Sequence, residues 1–146
     1  SVLAFAMDEP DIEKIMAWSH TVIGSDGELA GSHPRGFGAY TRFLGHYVRD
    51  RQVVSLEEGI RKITSQSAEI VGISNRGLIQ AGHFADLVLF NPETVKDHSE
   101  FGNPHVVSSG IEKVWVNGQV VYENGQTTEN RPGRPVRRVS GLEDPN

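Results

Sequence analysis

The sequence predicts an α/β arrangement that leads into β, and three features carry that prediction. An apolar run, an amphipathic stretch and a second β-rich run follow one another up to Ser25. Helix-capping signals dominate the middle of the chain. From Gly77 onward β-branched runs take over, punctuated by an Asn-Gly turn.

Residues 1–7 (SVLAFAM) are almost unbroken apolar sequence, as in a strand buried on both faces of a parallel sheet. Asp8 is placed to cap a helix over residues 9–19, with Pro10 in the first turn, where no N–H partner is needed. Ile12, Ile15 and Met16 give that helix one apolar face. Residues 21–25 (TVIGS) read as a second strand ending in Asp26-Gly27, followed by a polar, Gly-rich stretch to Gly38. Strand, helix and strand make a βαβ unit, and in α/β folds the C-terminal strand end is where chemistry collects. Asp26 is therefore the best-placed acid. From spacing alone, an Asp-Gly dipeptide is more often a plain turn than a catalytic site. His33-Pro34-Arg35 is equally open: a loop with a solvated cation, or an imidazole and a guanidinium aimed into a site. An anionic group would be the natural partner of Arg35.

Residues 40–51 place Phe43, Leu44, Tyr47 and Val48 on one helical face. Ser55 with Glu58 three residues on is a capping box, opening a helix with Leu56, Ile60 and Ile63 inward. Residues 67–72 continue helically until Gly72 stops them. Leu78-Ile79 and residues 85–90 read as strands separated by a turn at Gly82. Residues 111–116 and 119–122 flank Asn117-Gly118, a strong two-residue hairpin signal. That loop sets Val116 opposite Gln119, Trp115 opposite Val120 and Val114 opposite Val121. Residues 127–146 should be mostly irregular.

Length and charge narrow the function classes. The 146 residues fit one ordinary domain and fall short of the ~250 of a complete (β/α)₈ barrel. A net charge of −5 argues against nucleic acid. No apolar run approaches the ~18–20 residues that span a bilayer, and cysteine is absent, so a cytoplasmic protein is expected. The six histidines (His20, His33, His46, His83, His98, His105) show neither HxH nor HExxH spacing. GxSxG, the Walker loop and GxGxxG are missing as well. Arg131, Arg134, Arg137 and Arg138 form a tail patch without interleaved aromatics, which reads as a solvated or salt-bridging edge.

Several stretches together resemble the N-acyl-D-amino-acid deacylases (D-aminoacylases) of the amidohydrolase superfamily. Ile23-Gly24-Ser25-Asp26-Gly27 followed by His33-Pro34-Arg35-Gly36-Phe37-Gly38 resembles the last barrel strand and its loop. Ser55-Leu56-Glu57-Glu58 and Lys62-Ile63-Thr64-Ser65 resemble the next helices. Residues 76–90, 110–118 and 131–134 resemble the return strands of the small β-sandwich. The resemblance implies the last βα units of a TIM-type barrel over residues 1–74, then part of the β-sandwich with a C-terminal tail over 75–146. It implies a zinc-dependent hydrolase acting on the C–N bond of N-acyl-D-amino acids. Asp26 then matches the aspartate that takes a proton from the attacking water and passes it to the leaving nitrogen. Ser25 and Gly27 would shape its loop, and His33 and Arg35 would face the substrate or support the site from behind.

The zinc ligands of that family lie upstream of anything present here, and Asp26 is the one candidate ligand in this chain. Three readings follow: a C-terminal portion inactive without its missing N-terminal portion, an active enzyme whose ligands come in trans from another polypeptide or a homo-oligomer partner, or a non-enzymatic self-associating or binding module.

Overall fold

The computed structural model describes residues 7–28 and 30–138. The strand expected at 1–7 therefore lies outside the described residues except for Met7, which has no regular structure and is mostly exposed. Helix α1 spans Glu9–Ala17; the Asp8 carboxylate accepts from the Glu9 N–H, and Pro10 sits in the first turn. Residues 21–25 are half-buried apart from exposed Gly24, but they carry no sheet hydrogen bonds. The expected βαβ unit is thus not closed here. A parallel strand needs a neighbour, and none stands beside this segment among the described residues.

Helix α2 (Arg35–Arg42) starts at Arg35, where the sequence suggested loop as far as Gly38, and runs without a break into a π-helical segment, Phe43–Asp50. That segment supplies the centre of the core. Phe43, Leu44, Tyr47 and Val48, the face expected from their spacing, are buried together with Val95. Ile12 and Met16 of α1, Ile23, and Phe90 and Ile111 of the sheet pack around them. Leu56, Ile60 and Ile63 come from α3 (Leu56–Ile63). The Ser55 hydroxyl caps α3 by accepting from the Glu58 N–H at 3.2 Å. The reciprocal half of the expected box is replaced: the Glu58 carboxylate turns to Arg61, at 2.7 and 2.8 Å. Helix α4 (Ser65–Val71) ends at Gly72 with φ +77°.

The four strands form one antiparallel sheet in the order β1-β2-β3-β4: Leu87–Phe90, Ile111–Val116, Gln119–Glu123 and Gln126–Thr127. The turn between β2 and β3 has Asn117 at φ 47° and Gly118 at φ 79°, both positive as that hairpin requires. Val116 pairs with Gln119 and Trp115 with Val120, as expected. A bulge between Val114 and Trp115 then shifts Val114 onto Tyr122 instead of Val121. Leu78-Ile79 forms no strand, and Ile79 is 93% exposed. The turn is fixed from outside the hairpin. Asp86 Oδ1 accepts from the Asn117 N–H at 2.8 Å, Arg76 pairs with Asp86, and Arg76 Nη2 donates to Asn117 Oδ1 at 2.7 Å. No helix among the described residues is long and apolar enough to cross a membrane.

One buried cation joins α3 to the segment leading to Asp26. Lys62 has 0% exposure, and its ammonium donates to the carbonyls of Trp18 (2.6 Å) and Thr21 (3.0 Å), with Glu58 Oε1 at 3.8 Å. Gln66 adds a bond to the Ser19 carbonyl at 2.6 Å. Burial pushes the Lys62 ammonium below its ordinary pKa, and the Glu58 carboxylate opposes that shift. Lys62→Met removes the buried donor that ties the Trp18 and Thr21 carbonyls to α3, so we expect it to lower stability by roughly 2–5 kcal/mol in denaturant melts. A loss under about 0.5 kcal/mol contradicts the anchoring role. A lowered folded-state value means that the unfolded chain binds more protons between that value and the ordinary lysine value. Over that window the wild type should gain stability on the Lys62→Met variant as pH rises; a flat or falling difference contradicts it.

Candidate functional site

Residues 21–28 leave α1 through the turn that Lys62 holds and bring Ser25, Asp26 and Gly27 to the surface. Asp26 has φ 45°, a left-handed conformation that aspartate tolerates better than most residues. Asp26 thus takes a backbone conformation common in turns, but no hydrogen-bonded turn is formed at Asp26-Gly27. Ser25 Oγ accepts from the Gly27 N–H at 3.3 Å and closes the bend.

The second half of the site is the start of α2, seated directly on this bend. A Cβ on Gly27 would lie 2.8 Å from Gly36 Cα, and one on Gly36 would lie 2.6 Å from the Glu28 carbonyl oxygen. Neither position has room for a side chain, and the two backbones approach because both residues are glycine. This explains the late helix start expected from sequence. Gly36 and Gly38 depress helix propensity, but Gly36 is demanded by the crossing, and a Cβ on Gly38 would already be 3.0 Å from Asp97 Cβ.

The crossing brings together the residues singled out above. Arg35 Nη2 lies 2.9 Å from Asp26 Oδ2, and His33 Nδ1 accepts from the Arg35 N–H at 3.1 Å. That bond makes Nδ1 the acceptor nitrogen of the ring. The Asp26 side chain is 86% exposed and that of Arg35 44%, so the pair adds under about 1 kcal/mol to stability. A cation in the first turn of a helix also opposes the helix dipole. The placement of Arg35 serves neither its helix nor the fold's stability, and it leaves a carboxylate and a guanidinium side by side facing solvent.

Sequence reasoning missed two neighbours. The Phe101 ring stands edge-on to His33 with centroids 5.0 Å apart, and His105 Nε2 bonds the Gly31 carbonyl at 3.0 Å. Both come from the long connection between β1 and β2, and no local signal links them to residues about 70 positions earlier. A metal centre does not fit what is here. No cluster of three or more His, Cys, Asp or Glu side chains able to hold an ion occurs among the described residues, and a protein zinc site needs three or four ligands.

A profile described as the amidohydrolase family matches residues 11–122. The D-aminoacylase of Alcaligenes xylosoxydans xylosoxydans is 43% identical over 138 residues, 93% of this chain and 28% of that protein. A solved D-aminoacylase, studied for its binuclear metal centre, is 42% identical with a TM-score of 0.87, over 90% of this chain and 28% of that one. The N-acyl-D-glutamate deacylase of Bordetella bronchiseptica was solved with zinc and a phosphonate mimic of the tetrahedral intermediate. It is 38% identical with a TM-score of 0.79, over 84% of this chain and 26% of that one. The chain thus spans about 28% of the length of the relative first compared.

The glycine crossing is directly testable. In an ordinary helix Gly→Ala gains about 1 kcal/mol. Gly36→Ala should instead cost roughly 1–3 kcal/mol, because the new methyl meets the Glu28 carbonyl. A stabilised Gly36→Ala variant in thermal or denaturant melts would contradict the close approach.

Proposed function

The chain belongs to the amidohydrolase family, and we propose that it is the C-terminal portion of a zinc-dependent enzyme that hydrolyses N-acyl-D-amino acids. The observation that carries this reading is the Asp26–Arg35 pair, held at 2.9 Å on an exposed bend, within a chain collinear with D-aminoacylases over 93% of its length. We assign α1 to α4 and residues 21–28 to the end of the barrel, and β1 to β4 to part of the sandwich. Large apolar side chains left exposed, among them Ile15, Trp18, Leu78 and Ile79, are the surface that the remainder of such an enzyme would cover.

The reaction adds water across an amide: the acyl group leaves as a carboxylic acid and the D-amino acid recovers its amine. The leaving nitrogen must gain a proton, and Asp26 is the group we assign to carry it. Its exposure suits that work, because the carboxylate must reach a substrate that the rest of the enzyme positions. Arg35, whose fork has donors beyond those spent on Asp26, binds the α-carboxylate present in every N-acyl amino acid. Ser25 and Gly27 shape the bend, and His33 holds the first turn of α2. Zinc supplies the water-activating chemistry in such enzymes, but apart from Asp26 the described residues offer no cluster to hold it, and this portion alone is expected to be inactive. The non-enzymatic reading has no observation in its favour that this one lacks.

In the full-length, zinc-loaded enzyme, Asp26→Asn should lower kcat by about 10² to 10⁴-fold with metal content unchanged. Steady-state kinetics with an N-acetyl-D-amino acid checks this, and an unchanged kcat would remove Asp26 from proton transfer. Arg35→Met should mainly raise KM, since a contact made equally in ground and transition states affects binding alone. A fall confined to kcat would contradict the carboxylate assignment.

A further inference from the structure

Residues 96–109, in the connection between β1 and β2, form a closed loop with its own internal bonding. Its ends are pinned by the Lys96 and Ser109 backbones, which exchange hydrogen bonds at 3.2 and 2.9 Å. Inside it, Ser99, 6% exposed, donates to the Val106 carbonyl at 2.9 Å, and Glu100 and Asn103 bridge at the tip. A compact loop whose ends meet holds its shape through such bonds. It lies along the segment from Gly31 to Arg42. Asp97 pairs with Arg42 at 3.6 Å, and Ser108 bonds the Phe37 carbonyl at 3.2 Å and the Thr41 hydroxyl at 2.6 Å. His105 stacks obliquely on Phe37 with centroids 5.3 Å apart and reaches the Gly31 carbonyl, while Phe101 stands against His33.

We propose that this loop braces the entry to α2 beside the bend, with His105 and Phe101 acting as positioning residues for Arg35 and through it for the substrate carboxylate. The part that concerns substrate rests on the function proposed above; the part that concerns position does not. Ser32, His33 and Pro34 form a short bridge between Gly31 and Arg35, the first residue of α2, and its two sides are touched by different loop residues. His105 holds the near side at Gly31. Phe101 backs the imidazole whose Nδ1 accepts the Arg35 N–H, so a displaced His33 releases the first turn of α2. A carbonyl can only accept, so His105 Nε2 carries the hydrogen in that bond. A glutamine at 105 can supply an N–H in its place; a leucine cannot.

The experiment compares His105→Leu, His105→Gln and Phe101→Ala with the wild type in the full-length enzyme. It reads amide hydrogen exchange of residues 35–38 together with KM and kcat on an N-acetyl-D-amino acid. His105→Leu and Phe101→Ala should speed exchange at these amides and raise KM by about tenfold or more, with kcat changed far less and His105→Gln close to wild type. Unchanged exchange in both disruptive variants overturns the brace. Faster exchange with unchanged KM keeps the brace and overturns its link to substrate. Arg35→Met measured alongside separates the two levels: if it also leaves KM unchanged, the carboxylate assignment of Arg35 fails and not the loop's role. Equal losses in His105→Leu and His105→Gln would show a general packing effect and overturn the hydrogen-bond argument.

Discussion

Two backbones cross at Gly27 and Gly36 so closely that neither can carry a side-chain carbon, and the arrangement around Asp26 depends on that contact. The crossing turns a sequence separation into adjacency: the bend holding Asp26 and the first turn of α2 holding Arg35 become one surface. Because the contact is backbone on backbone, flexible side chains have little room to loosen it. Lys62 fixes the other end of the same bend, where its ammonium satisfies the carbonyls of Trp18 and Thr21. The bend is thus held at both ends, while the carboxylate it presents stays in solvent.

This division between a fixed backbone and an exposed ion pair has an energetic logic. The buried groups carry the stability: the apolar face of the π-helical segment, Val95, and the hydrogen-bonded cation Lys62. The Asp26–Arg35 pair contributes little because water screens it. Its partners can therefore change without unsettling the fold. A buried pair of the same geometry would resist that exchange. The sheet contributes at a distance, since the connection between β1 and β2 sends the loop of residues 96–109 back across α2.

What could be read from the sequence divides along the range of the interactions. Asp8 and Ser55 as caps, Gly72 as a stop and Asn117-Gly118 as a turn are decided within a few residues, and the structure has each of them. The start of α2 was hidden because Gly36 and Gly38 look like loop residues until their packing against Glu28 and Asp97 is known. The bulge at Val114 and the missing strand at Leu78-Ile79 depend on partners along and across the sheet. In the site, Asp26, His33 and Arg35 were legible as a motif, but their contacts were not. The paths from Phe101 to His33 and from His105 to Gly31 join segments about 70 residues apart and leave no local pattern.

The central claim is that this chain presents a proton-carrying carboxylate and a carboxylate-binding arginine to chemistry completed elsewhere in the enzyme. The most direct measurement is deacylase turnover by the purified 146-residue chain, supplemented with zinc, on a panel of N-acetyl-D-amino acids. The account predicts a folded chain with no turnover. Turnover that disappears in the Asp26→Asn variant would show that a working metal site assembles within these residues, and would contradict the claim that the rest of the enzyme supplies it.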